Sequence, residues 1–160
     1  MIWLLRHGDA EETAEDDAAR RLTENGERQA EAAGRALEAL EADVGACLTS
    51  PKVRARDMAR IACRGLGVEV EETGLLRGGD FDPQQVAGLA RAQGGRAGNV
   101  LLVGHEPDLS HAIEAATGAS VKLNKGGLAA IEDGTLIALL TPRQLDAIAA
   151  ARVAGRRPGF

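Results

Sequence analysis

Two arginines and two histidines, Arg6, His7, Arg54 and His105, each stand at or just beyond the end of a short apolar run, and together they are the makings of a phosphate site. Arg6-His7-Gly8 closes the run Ile2–Arg6, Ser50-Pro51-Lys52-Val53-Arg54 follows Ala46–Thr49, and Gly104-His105 follows Val100–Val103. A planar guanidinium matches phosphate oxygens through two parallel N–H donors. Gly8 lets the backbone approach closely after His7. Singly, none of these residues says much: a histidine behind a strand is usually a turn residue, and Arg6 alone is an ordinary surface charge. Their shared position beyond three apolar runs is the signal.

Other polar groups read as structural. His111 lies within a helical pattern, four residues after Pro107, and suits a partly buried or exposed structural histidine. Glu11, Glu12, Glu15, Asp16 and Asp17 form a run of like charge, which is normally a solvated loop. Three histidines suggest zinc only until the arginine beside His7 is considered, since two arginines in the same pocket repel a cation. No metal and no cofactor is expected. Cys47 and Cys63 lack metal-ligand spacing and read as reduced, packed thiols.

The elements that must position these groups follow from the apolar pattern. Ile2–Arg6, Ala46–Thr49 and Val100–Val103 read as buried strands, Val68–Val70 as a shorter one, and Leu128–Ile131 and Leu136–Leu140 as a pair joined at Asp133-Gly134. Thr23 caps a helix whose Ala30, Ala33, Leu37 and Leu40 share a face. Ser50-Pro51 reads as cap and first helical position of a second helix, ending at Gly65 or Gly67, with Ala55, Met58, Ala59, Ala62 and Leu66 inward. Asp82-Pro83 opens a helix to about Arg91, followed by a glycine-rich loop at 94–98. Leu109, Ala112, Ile113 and Ala116 mark another helix, and Thr141-Pro142 opens the last; residues 9–21 read as a loop. Strands alternating with helices predict an α/β fold: a three-layer α/β/α sandwich with a mostly parallel central sheet and an antiparallel edge strand, in one domain over residues 1–160. Such sheets bind ligands beyond the carboxyl ends of their strands. Arg54, on the first turn of its helix, then leans back over the strand end, where the free N–H groups of the helix also favour an anion.

The 160 residues carry a net charge of −5 and only 2% aromatic residues, with no Tyr. The negative balance disfavours nucleic acid and anionic lipid, so an anion site has to be a local concentration of arginine. The core must be built from Leu, Ile, Val and many Ala. No apolar stretch approaches membrane-spanning length, and Met1–Leu5 is too short for a signal-peptide core, so a cytoplasmic protein is expected.

Four segments, in this order, resemble the histidine phosphatase superfamily, with its phosphoglycerate mutase-like fold, and within it the small SixA-type phosphohistidine phosphatases. They are Leu4-Leu5-Arg6-His7-Gly8, Leu22-Thr23-Glu24-Asn25-Gly26 with Gln29-Ala30, Ser50-Pro51-Lys52-Val53-Arg54-Ala55, and Val103-Gly104-His105-Glu106-Pro107. The resemblance implies that His7 is the nucleophile of a metal-independent phosphatase and that Arg6, Gly8, Arg54 and His105 bind the phosphoryl group. The arginines would then depress the pKa of His7 and keep it neutral. Two positions depart from the family pattern. Met58 stands where Thr is common, which bears on packing. Larger members carry a proton-donating Glu in a Leu-x-Glu stretch, where this chain has Leu76-Arg77-Gly78; that leaves Asp80 or Asp82 as substitutes, or no acid at all, Asp82 also being a natural helix cap before Pro83.

The expected activity is hydrolysis through a covalent phosphohistidine intermediate, with phosphohistidine on proteins as substrate. A small-molecule phosphomonoesterase or a phosphoglycerate-mutase-like transferase is the alternative among enzymes; the transferase needs a closed site, and the chain lacks long insertions to close one. A non-catalytic module binding phosphate or a phosphoprotein is the alternative of another class, set against the presence of His7. The expected partner is thus a phosphorylated protein or a small phosphorylated molecule, not nucleic acid or membrane; a monomer is compatible with this, the oligomeric state being open.

Overall fold

Short, wholly apolar strands need cover on both faces, and the fold supplies it. The computed structural model describes residues 1–79 and 81–155, and of residues 94–97 the backbone alone. Six strands, β1 (Ile2–Arg6), β2 (Val44–Thr49), β3 (Val70–Glu72), β4 (Asn99–Gly104), β5 (Leu128–Glu132) and β6 (Thr135–Leu140), form one sheet in the order β3-β2-β4-β1-β5-β6. The first four run parallel; β5 pairs antiparallel with β1, and β6 antiparallel with β5. The mostly parallel sheet with antiparallel pairing toward one edge is therefore as expected.

Side-chain alternation along each strand divides the core. Trp3, Leu5, Leu101, Val103 and Leu128 pack with α1 (Glu24–Ala39), α2 (Val53–Cys63) and Leu145 of α5 (Pro142–Gly155). From the opposite face, Leu48, Val100 and Leu102 meet Val86 and Ala90 of α3 (Pro83–Ala97), while Leu4, Ala129 and Ile131 meet Leu109 and Ile113 of α4 (Asp108–Thr117). Alanine does what the missing aromatics would do elsewhere. Ala30, Ala33, Ala55, Ala59 and Ala62 are all buried between α1, α2 and the sheet. The two helices touch so closely that a Cβ on Gly34 would lie 2.4 Å from the Ala62 carbonyl oxygen. Met58 is fully buried in this layer, as are the free thiols Cys47 and Cys63.

Several boundaries differ from expectation. Helix α2 begins at Val53, with Lys52 as N-cap and no side-chain capping bond, so Ser50-Pro51 precede the helix instead of starting it. Helix α3 continues past Arg91 through Gly94 and Gly95 to Ala97. Glycine costs about 1 kcal/mol in a helix interior, but the packing of Val86 and Ala90 on the sheet fixes the axis, and the chain turns only at Gly98 (φ 82°). Strand β3 lies two residues later than Val68–Val70, and β2 starts at Val44. Within 9–21 the chain makes a 3-10 turn at Asp17–Ala19, and Ala10 bridges to Leu22. No helix among the described residues is long and apolar enough to cross a membrane.

Candidate active site

β1, β4 and β2 are adjacent and parallel, with Arg6 level with Gly104 and Val103 level with Thr49, so the residues after them emerge side by side. His7, Ser50 and His105 are those residues, and all three are buried. The His7 backbone is held from two sides: its N–H donates to the Gly104 carbonyl at 3.2 Å and its carbonyl accepts from Gly126 at 3.0 Å. Helix α1 closes on the next residues. Thr23, its N-cap, accepts from Gly26 N–H at 3.1 Å, and Gln29 Oε1 accepts from Asp9 N–H at 2.8 Å. A Cβ on Gly26 would fall 2.0 Å from the Asp9 carbonyl oxygen, so the helix reaches the loop after His7 only because residue 26 is glycine.

The tautomer of His7 is forced. Nδ1 lies 2.8 Å from the Gly8 carbonyl oxygen, which can only accept. Nδ1 therefore carries the proton and Nε2 the lone pair. The His105 ring stands 5.2 Å away, centroid to centroid, tilted by 57°. Its Nε2 is 2.7 Å from Ser50 Oγ, while its Nδ1 is buried without a partner.

Both guanidinium groups are anchored at their outer nitrogens. Arg6 Nη1 donates to the Leu123 carbonyl at 3.0 Å. Arg54 donates from Nη1 to the Asp17 carbonyl at 2.8 Å and from Nη2 to Asp17 Oδ2 at 3.2 Å. The Nε atoms of both arginines are buried and unpartnered. Buried donors without partners are rare and call for an explanation. Three of them, Arg6 Nε, Arg54 Nε and His105 Nδ1, belong to the groups around His7, while Trp3 Nε1 and Arg56 Nε lie elsewhere.

Comparisons with known proteins give the family and the fold. The histidine phosphatase superfamily (branch 1) matches residues 2–93 of the chain. The chain belongs to the histidine phosphatase superfamily. An uncharacterized protein of Picosynechococcus sp. is 33% identical over 141 residues, which cover 83% of this chain and 85% of that protein. A crystal structure from Agrobacterium tumefaciens, provisionally named phosphohistidine phosphatase SixA, is 26% identical with a TM-score of 0.78, covering 88% of this chain and 97% of its own. The protein histidine phosphatase SixA complexed with tungstate shares the fold at a TM-score of 0.79 and 22% identity, over 90% of this chain and 98% of its own. The protein is a phosphatase.

In this histidine phosphatase, burial is the main cause of depressed histidine pKa values. It lowers His7 to about 4, against the opposing bond to Gly8, with Arg54, Arg6 and Lys125 adding smaller effects. His105 is lowered to about 3, again by burial first and then by His7, Arg54 and Lys52. The arginines thus act on His7 in the expected direction, behind desolvation. Both imidazoles are neutral at pH 7. The unfolded chain binds protons at these sites near pH 6.5 and the folded one does not, so stability is lost as pH falls from about 6.5 toward 4. Urea midpoints are expected to drop over that window in the wild type and to stay nearly level in His7→Gln/His105→Gln. A level wild-type profile would contradict the neutral, buried state of the pair.

Two polar residues at the site escape sequence reading. Asp17 sits in the acidic run, yet it binds Arg54 as above, faces Lys52 Nζ at 3.3 Å and accepts from Arg20 at 3.2 Å. Burial alone would raise its carboxyl, but the bonds from Arg20, Arg54 and Lys52 outweigh that and hold it well below the usual carboxylate range. Nothing in a run of like charges singles out this member. Ser50 is the other, read as a helix cap when its hydroxyl in fact faces His105. Its place directly behind the β2 strand was the available signal.

Of the proposed proton donors, Asp80 lies outside the described residues, and Asp82 accepts from Gln84 N–H at 2.9 Å as a helix cap does. Beside Gly78, a Cβ would lie 3.5 Å from Asp108 Oδ2 and 3.9 Å from Lys52 Nζ. Asp108 Oδ2 is buried without a partner, and burial raises this carboxyl. His111 is exposed on α4. Among the described residues, no three or more His, Cys, Asp or Glu gather where they could hold a metal ion.

Proposed function

We propose that this phosphatase removes the phosphoryl group from phosphohistidine side chains of proteins, passing it through a covalent intermediate on Nε2 of His7. The observation that supports the mechanism is the bond from His7 Nδ1 to the Gly8 carbonyl, which leaves the Nε2 lone pair free. Nε2 attacks phosphorus in line and the bond to the leaving nitrogen breaks. Arg6, Arg54 and His105 donate to the equatorial oxygens, and Gly8, where a Cβ would lie 2.7 Å from Gln29 Oε1, lets the backbone after His7 come close. Water then attacks the phosphorylated His7, releasing phosphate and restoring the imidazole. The arginines supply the positive charge that a metal would supply elsewhere, so activity is expected to survive EDTA.

Gly78 supports the substrate class. A phosphorylated alkoxide needs a proton in the transition state, worth about 10²–10⁴-fold in rate. An imidazole leaving group, with a conjugate-acid pKa near ~6.5, needs that help far less, and the Leu76-Arg77-Gly78 stretch has no carboxyl group to give it. The buried, unpartnered oxygen of Asp108 beside Gly78 favours a second reading, a phosphomonoesterase of small alcohols with Asp108 as the acid. Comparing kcat/KM on a phosphohistidine peptide, an aryl phosphate and a sugar phosphate separates the two. The peptide and the aryl ester are expected to lead by at least about 10²-fold. A preferred sugar phosphate, with activity destroyed by Asp108→Asn or Asp80→Asn, would establish the second reading instead.

A further inference from the structure

We infer that Ser50 is a positioning residue, whose hydroxyl donates to Nε2 of His105 and so holds the imidazole in the tautomer that offers Nδ1–H to a phosphoryl oxygen. The inference rests on the reading of His105 as a phosphoryl-binding group. Ser50 is wholly inaccessible, and its Oγ has two neighbours with polar hydrogens or lone pairs: His105 Nε2 at 2.7 Å and Lys52 N–H at 3.2 Å. The Lys52 amide can only donate, so it takes one of the two lone pairs of Oγ. Among the described residues the hydroxyl proton then has one acceptor within reach, Nε2.

The opposite arrangement fails twice. If Nε2 carried the proton, the Ser50 hydrogen would be buried with nothing to accept it, which costs about 1–3 kcal/mol for an unsatisfied group. Nδ1 would then turn a bare lone pair toward an anion. With Ser50 donating, the unpartnered Nδ1 becomes a donor, and it joins Arg6 Nε and Arg54 Nε in a set of three. His7 and His105 are then oriented by the same logic through opposite nitrogens. A carbonyl fixes the nucleophile with Nε2 bare, and a hydroxyl fixes the binder with Nδ1 protonated. The departure of Ser50 from the helix cap position also acquires a reason: the residue is held at the strand end, where its hydroxyl reaches the neighbouring strand.

Two-bond ¹H–¹⁵N spectra of ¹⁵N-labelled, ligand-free protein at pH 7 read the tautomer directly, with His105→Gln assigning the ring. The expected pattern is a protonated Nδ1 and a bare Nε2 on His105. The reverse pattern overturns the inference. In Ser50→Ala the bare nitrogen is expected to shift toward Nδ1, and kcat on an aryl phosphate to fall about tenfold, the worth of one ordinary hydrogen bond. Ser50→Thr, which keeps the hydroxyl, is expected to restore both. An alanine variant with the wild-type tautomer overturns the role of Ser50 whatever its rate. Should that variant fold poorly, the wild-type spectrum still decides. Because the spectrum needs no turnover, a failure of the tautomer and a failure of the phosphatase chemistry are read separately.

Discussion

His7→Ala is expected to lose at least about 10³-fold in turnover, with no phosphoenzyme left to trap. In the proposed two-step transfer the nucleophile has no substitute: the neighbouring imidazole of His105 turns Nε2 to Ser50, and its Nδ1 is buried. Folding is expected to survive. His7 is buried, but it belongs to none of the three apolar clusters, and the strand pairing around it is made by backbone. Rapid quenching of the wild type with ³²P-labelled aryl phosphate is expected to give a label that is lost in acid and kept in base, as a phosphoimidazole is. Label that persists in His7→Ala would remove His7 from the mechanism.

Arg54→Ala is expected to reduce kcat by about 10²–10³-fold, the usual loss when one donor aimed at transition-state charge is removed. Stability is expected to change little, because the carboxylate that Arg54 leaves behind is not stranded. Asp17 has a side chain 56% exposed and keeps Arg20 and Lys52. Vanadate should compete with substrate in the wild type and bind more weakly to the variant. Arg54→Lys is expected to recover only part of the loss, since an ammonium cannot hold Asp17 through two nitrogens while presenting a third. A rate within threefold of wild type in Arg54→Ala would mean that Arg54 serves Asp17 and the loop, not the phosphoryl group.

What was legible beforehand follows how each feature is encoded. The strand ends carrying His7 and His105 were visible because four- and five-residue apolar runs leave a chain few alternatives, and a parallel sheet then forces their ends together. The Thr23 cap was visible because capping is local. Ser50 obeyed the same local grammar and misled, since Ser-Pro before a helix describes a cap as well as it describes a residue bent toward the next strand. Asp17 was illegible for a different reason. Its partner Arg54 is 37 residues away, and five acidic side chains in seven positions offer no pattern by which one of them turns inward. The continuation of α3 through two glycines was hidden because tertiary packing overrode propensity.

The order of strands in the sheet has a consequence for how the site comes into being. β1 and β2, which carry the arginine-bearing segments, are not neighbours; β4 lies between them and pairs with both. It is the last of the parallel strands to appear along the chain, and the Arg6–Gly104 register closes a loop of nearly a hundred residues. Such long-range pairing forms late and with the fold as a whole. A growing or truncated chain that stops short of Asn99 possesses His7, Arg6 and Arg54 but has no scaffold to set them side by side, and it lacks His105. Partly folded forms therefore lack the assembled site, whose members come side by side only in the step that joins β4 to both of its neighbours.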